Sequence, residues 1–200
     1  MNKSENMFFR ILDIFAHFVL LNAIWIICCI PIITIFPATT ALYSVVKCWI
    51  AEGTYAGAVR LFFTAFKEKF KKSFIIGLLW ILAGLILYFD LTILLQVEFT
   101  GSFLILILFI FTAILYVFVS VYSLLLLVQE ELSILNILKK SLILSVSHLH
   151  YTLLFLIIIV AAIWMTYYFK IFLLIFGSVL AFILYYLFQK LEHTMSKGTS

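Results

Sequence analysis

Hydrophobic residues in this chain come in long unbroken runs rather than in the short alternations of a half-buried strand. Five runs approach the length of a membrane crossing: residues 14–36, 74–95, 103–128, 151–169 and 171–188. Crossing ~30 Å of hydrocarbon takes about 20 helical residues, so the first run suffices with some tilt, and Pro31 predicts a kink in it. Between residues 74 and 129 the only charges are Asp90 and Glu98, and Glu98 with Gly101 marks a turn over residues 96–102. Lys170 and its tyrosine neighbours divide the last two runs. The pattern predicts an all-α, polytopic helical membrane protein, one membrane domain over residues 1–200 with about five transmembrane helices. The opening apolar stretch is too long for the h-region of a cleaved signal peptide.

Two stretches between the runs, 39–72 and 131–147, read instead as amphipathic cytoplasmic helices. Leu42, Val45, Val46, Trp49 and Ile50 fall on one helical face behind Pro37, Thr39 and Thr40, which suit the end of one helix and the capping of the next. After Gly53, Val59, Phe62, Phe63, Phe66 and Phe70 form an apolar stripe opposite Arg60, Thr64, Lys67 and Lys71. Rings that enter a headgroup boundary beside lysines that meet anionic lipid define a lipid or partner interface: Arg60, Phe62, Phe66, Lys67, Lys69, Phe70, Lys71 and Lys72. Lys71-Lys72-Ser73-Phe74-Ile75-Ile76 recurs in part as Lys139-Lys140-Ser141-Leu142-Ile143-Leu144, the pattern of two copies of one helix-and-hairpin unit.

Composition agrees with the pattern. Hydrophobic residues make up 66% of the chain and charged ones 11%, against roughly 45–50% and ~25% in soluble domains. The net charge of +4 is concentrated beside apolar runs, which favours anionic headgroups over nucleic acid as a partner. Sorted by the five runs, ten basic residues fall on one side of the membrane and three, Lys3, Arg10 and Lys170, on the other. The positive-inside rule then puts the amino terminus outside the cell and the carboxyl terminus in the cytoplasm. Cys28, Cys29 and Cys48 read as small buried hydrophobes rather than as a disulfide framework or metal site.

Polar groups inside apolar runs are the informative ones, since a charge at the bilayer centre costs at least ~2.5–3.5 kcal/mol. Asp90 lies about 8 Å below the outer end of its run. Lys170 belongs to the same side and is a candidate partner for it. Asp13 and His17, four apart on one face, and the deeper Asn22 complete a candidate solute or proton site open to the outside; the competing reading has these side chains snorkelling or bridging helices. His148 and His150, two apart on a helix, would point away from each other, so no metal is expected there. No nucleotide loop, nucleophile elbow or acid pair is present in the sequence, so neither an enzyme nor a cofactor is expected.

The segment 51–58 departs from the Glu-Ala-Ala coupling loop of sugar-importer permeases: both alanines are missing and the glycine is one position early. A closer likeness runs through Asn6-Met7-Phe8-Phe9-Arg10-Ile11-Leu12-Asp13, then Ile35-Phe36-Pro37-Ala38-Thr39-Thr40-Ala41-Leu42-Tyr43 with Val46, Lys47 and Trp49, then Phe66 to Ser73 and Gly77. In these residues the chain resembles the YesL-like family of bacterial integral membrane proteins, most closely over residues 6–80. The family carries no established activity or catalytic residues. Its members are often encoded beside carbohydrate-uptake systems, so the resemblance implies a multi-pass protein of the bacterial cell membrane with a supporting role in sugar uptake. Two readings stay open: a non-enzymatic accessory or scaffold protein associated with a carbohydrate-uptake complex, and a small solute transporter or channel using the outer polar cluster.

Overall fold

The computed structural model describes residues 3–53, 57–96, 102–129 and 132–198. All regular structure among them is helical: α1 (Lys3–Cys29), α2 (Ile35–Glu52), α3 (Ala58–Gln96), α4 (Ser102–Gln129), α5 (Ile134–Ser147), α6 (Leu149–Tyr168) and α7 (Phe176–Gly198), with 3-10 turns at Ile32–Thr34 and Lys170–Leu174. The expected turn over residues 96–102 falls largely outside the described residues.

Pro31 ends α1 instead of kinking a longer span. Its backbone is extended (φ −74°, ψ 118°), it has no N–H to continue the helix, and the Thr34 hydroxyl lies 2.6 Å from the Cys28 carbonyl and 2.7 Å from that of Pro31. Pro37, expected to terminate the run, instead sits in the first turn of α2, where no N–H is required. The chain therefore folds back: Trp25 Nε1 donates to Thr39 Oγ1 at 3.2 Å, and Phe18 packs on Trp49 with ring centroids 5.2 Å apart.

α2 is the central helix, not a surface one. Ala38, Thr40, Ala41, Leu42, Tyr43, Val45, Val46 and Trp49 are all buried, against α1, α3, α4 and α7. Small residues let the backbones approach. On α3, a Cβ at Gly77 would stand 2.8 Å from Phe36 Cβ, so any larger residue there pushes α2 and α3 apart.

α3 is one helix of 39 residues, ~58 Å long, and joins the expected amphipathic stretch to the expected second span without a break. α4 returns beside it. Tyr116 OH donates to the Trp80 carbonyl (3.1 Å), and Trp80 Nε1 donates to Ser123 Oγ (3.1 Å). Beyond this point the α3/α4 hairpin stands alone: no residue is buried between 81 and 96 or between 103 and 117.

α5 and α6 are divided at His148 (φ −124°, ψ 50°). The hydroxyl of Thr152 lies within hydrogen-bond reach of the carbonyls of Ser145 and His148 and of Tyr122 OH, which ties the break to α4. The break also brings the His148 and His150 rings into a stack, centroids 6.2 Å apart, where an unbroken helix would have turned them away from each other. After α6, the expected fifth span over 171–188 is interrupted by the 3-10 turn, whose end is held by Asn22: its Nδ2 donates to the Leu173 carbonyl (2.8 Å), and Gly177 N–H donates to its Oδ1 (2.9 Å). α7 then descends along α1, with Phe182 against Phe18.

Among the described residues, five helices are long and apolar enough to cross a membrane: Ile11–Cys29, Ile32–Glu52, Ala58–Gln96, Phe103–Gln129 and Leu149–Tyr168. Their number is the expected one and their membership is not. Ile32–Glu52 replaces the run over 171–188. The packing also sets the helix directions: α2 reverses the chain before α3, α1 and α3 run the same way, and α7 runs antiparallel to α1, so Lys3 and Gly198 lie toward one end of the bundle.

Candidate functional site

The α3/α4 hairpin carries a groove between its helices. Its distal part, about 380 Å³, is walled by Leu87, Ile93, Leu94, Ile105, Leu108 and Phe109, and a second cavity of about 350 Å³ continues it toward Trp80, Tyr116 and, from α5, Leu142. Leu87, Asp90 and Thr112 line both. Asp90 is the only Asp, Glu, Lys, Arg or His in either lining. Its carboxylate has no hydrogen bond or ion pair with any described residue, because Thr112, the polar neighbour, turns its hydroxyl back onto the Leu108 carbonyl at 2.9 Å.

The other members of the predicted outer cluster lie elsewhere. Lys170 is exposed in the 3-10 turn, which packs against α1, α6 and α7, whereas α3 packs against α1, α2 and α4; no Asp90–Lys170 pair forms. Asp13 and His17 do meet: His17 Nδ1 lies 2.8 Å from the Asp13 carbonyl and 3.6 Å from Oδ1, with the imidazole edge-on to Trp49. Asn22 is buried and spends both ends of its amide on the chain itself. A helix-bridging role, one of the two readings of this residue, is what its geometry displays.

The predicted interface on α3 divides between two faces. Arg60, Lys67 and Lys71 are exposed, and Lys72 is half-buried. Phe62, expected at the lipid boundary, is fully buried. It begins a ladder of rings one turn apart, Phe62, Phe66, Phe70 and Phe74, with successive centroids 6.1, 5.3 and 5.9 Å apart, that climbs from the core to the surface. Lys69 turns inward as well: Nζ donates to the carbonyls of Val128 (2.8 Å) and Leu127 (3.3 Å), and Lys47 from α2 reaches Val128 at 3.3 Å. Two cations thus sit on the negative end of α4, satisfying carbonyls that a helix C-terminus leaves open. The spacing Phe62, Phe66, Lys69, Ser73, Ile76 and Trp80 places Lys69 on the buried stripe, and that was the signal available for it.

Two further features were not expected. The buried hydroxyls of Ser123 and Ser141 donate back to the Ser120 and Ile137 carbonyls of their own helices, whereas Ser178 donates to the Phe18 carbonyl of α1 and Thr152 to the Ser145 carbonyl of α5. Cys28, Cys29 and Cys48 are half-exposed rather than buried, and Cys48 Sγ lies 3.6 Å from Glu52 Oε2. No group of three potential metal ligands gathers among the described residues.

Fold and composition together define a multi-pass helical membrane protein. The family model described as "Protein of unknown function, DUF624" matches residues 18–91. The chain is 30% identical over 155 residues to the uncharacterized protein YteU of Bacillus subtilis (strain 168), covering 76% of this chain and 69% of YteU. It is 33% identical over 81 residues to the uncharacterized protein YesL of the same organism, an alignment that spans 39% of each chain. The chain belongs to this YesL-like family of unknown function. No solved structure matches it.

Proposed function

We propose that this chain is a non-enzymatic accessory or scaffold subunit of the cell membrane, and that it docks a helix of a carbohydrate-uptake complex in the groove between α3 and α4. The observation that carries this reading is Asp90. Apolar side chains on a membrane hairpin are solvated by lipid and need no cover, but a carboxylate in an apolar groove does. A partner helix that brings a lysine, an arginine or a hydroxyl to the depth of Asp90 satisfies it and fills the cavities on either side. The carbohydrate part of the proposal follows from the family resemblance.

In this reading the end of the bundle that carries Lys47, Lys67, Lys69 and Lys71 faces the cytoplasm, as the positive-inside rule requires. Both termini point to that end and lie in the cytoplasm with it. A solute path through Asp13, His17, Asn22, Asp90 and Lys170 would need these groups around one cavity, and they occupy separate parts of the bundle.

The test is affinity purification of the full-length protein in mild detergent. A sugar-uptake membrane component copurifies with the wild type, is lost from Asp90→Asn and is kept by Asp13→Asn. If nothing copurifies and deletion leaves sugar uptake unchanged, the accessory role is wrong; retention of the partner by Asp90→Asn would remove the groove from it.

A further inference from the structure

α5 presents three kinds of surface on fourteen residues. One side, Ile137, Ser141, Leu144 and Ser145, is buried and fixes the helix to the bundle. On the outer side, Asn136, Lys139 and Lys140 follow one another at i, i+3 and i+4, the spacing that brings side chains together. They line a cavity of about 260 Å³ whose apolar walls are Leu132 and Ile143. Asn136 and Lys139 are exposed, while Lys140 is half-buried and is also engaged elsewhere in the chain. The third surface is a strip one turn further along: Leu142, Ile143 and Val146 are 50%, 51% and 50% exposed.

The direction of this arrangement is given by Leu142, which also lines the groove beside Trp80 and Tyr116, farther along the hairpin than the Lys69–Val128 contact at its root. Along α5 the amide and amines therefore come first, on the side of the lysine-bearing end of the bundle, and the aliphatic strip follows one turn on toward the lipid-facing hairpin. Donors first and exposed aliphatic surface next is the order of a phospholipid read from headgroup to chains.

We propose that α5 holds one anionic phospholipid, its phosphate received by Asn136 and Lys139 with Lys140 alongside, and its acyl chains laid over Leu142, Ile143 and Val146. The amide-and-amine end of the site is separate from the groove around Asp90, and Leu142 is the residue of the aliphatic strip that borders both. Lysine next to an anionic headgroup contributes about 1 kcal/mol, so losing one weakens binding roughly fivefold.

Native mass spectrometry of the full-length protein, released from micelles doped with dioleoylphosphatidylglycerol or with dioleoylphosphatidylcholine, tests this. The wild type retains one phosphatidylglycerol in preference to phosphatidylcholine, and excess inorganic phosphate does not displace it. Lys139→Gln lowers retention roughly fivefold, Asn136→Ala lowers it further in combination, and Lys67→Gln on α3 leaves it unchanged. Because Asn136 and Lys139 are exposed, these changes leave the fold intact, which circular dichroism checks. Equal retention of the two lipids, equal retention by wild type and the double variant, or an equal loss in Lys67→Gln overturns the site. Displacement by inorganic phosphate would make it a simple anion site and remove the lipid.

Discussion

Lys69 in the first third of α3 donates a 2.8 Å hydrogen bond to the carbonyl of Val128 in the last turn of α4. The bond joins the two helices of the hairpin at its root, below the Trp80–Ser123 contact. It places a positive charge where the α4 dipole is most negative, and a charge so placed contributes up to ~2 kcal/mol when partly buried.

Replacing Lys69 by methionine keeps the stem and removes the charge. The protein in detergent should melt several degrees lower, a loss of about 1–2 kcal/mol. Lys67→Met, on the exposed face of the same turn, should leave the midpoint within error. Tryptophan fluorescence during heating reads both, and equal midpoints for the two variants would show that the Lys69 bond contributes nothing.

Asn22→Leu deletes both bonds to the 3-10 turn, leaving the Leu173 carbonyl and the Gly177 N–H without their partner. Unpaired buried backbone groups cost about 1–3 kcal/mol each. Hydrogen exchange should therefore speed up at residues 173–178 while α3 and α4 stay protected. A variant with unchanged exchange there would mean that Asn22 does not hold the turn.

A methyl group at Gly177 would sit 2.6 Å from the Trp25 ring and 2.8 Å from Asn22 Oδ1, and one at Gly57 would meet nothing within 4 Å. Gly177→Ala should destabilise by about 1–3 kcal/mol, the usual cost of overpacking. Gly57→Ala serves as the control and should be near neutral. The comparison of the two melting curves decides whether α1 and α7 touch as closely as described.

The helix directions predict shared sidedness of the termini. With Cys28, Cys29 and Cys48 replaced by alanine, single cysteines at Ser4 and Ser196 should both resist an impermeant maleimide in intact cells and both react in inverted vesicles. Reaction of Ser4→Cys from outside the cell would put the two termini on opposite sides of the membrane and overturn their shared sidedness.

The all-helical membrane class was legible because apolar runs in this excess have one stable environment, and the family was legible in residues 6–80. What the sequence left hidden was governed by contacts between distant segments. The part of Ile32–Glu52 that follows Thr39 reads as amphipathic because Ser44 and Lys47 lie off its apolar face, yet Ser44 bonds back to Thr40, and Lys47 reaches out to Val128. A helix whose polar groups are satisfied locally is free to enter a core. Phe62 and Lys69 were assigned to the membrane surface by residue type, whereas their spacing with Ser73, Ile76 and Trp80 put them inside. Asp90 was recognised as the unusual charge. Its expected partner failed because Lys170 belongs to a turn that Asn22 pulls toward α1.

Nothing interrupts α3 between Ala58 and Gln96, so no break in the helix separates its core-packed half from its lipid-facing half. For a rod ~58 Å long, a tilt of about 5° displaces one tip relative to the other by about 5 Å. The aromatic ladder that starts at Phe62 and the groove at Asp90 thus share one rod, and any reorientation of its buried end is also a displacement of the surface on which a partner would rest.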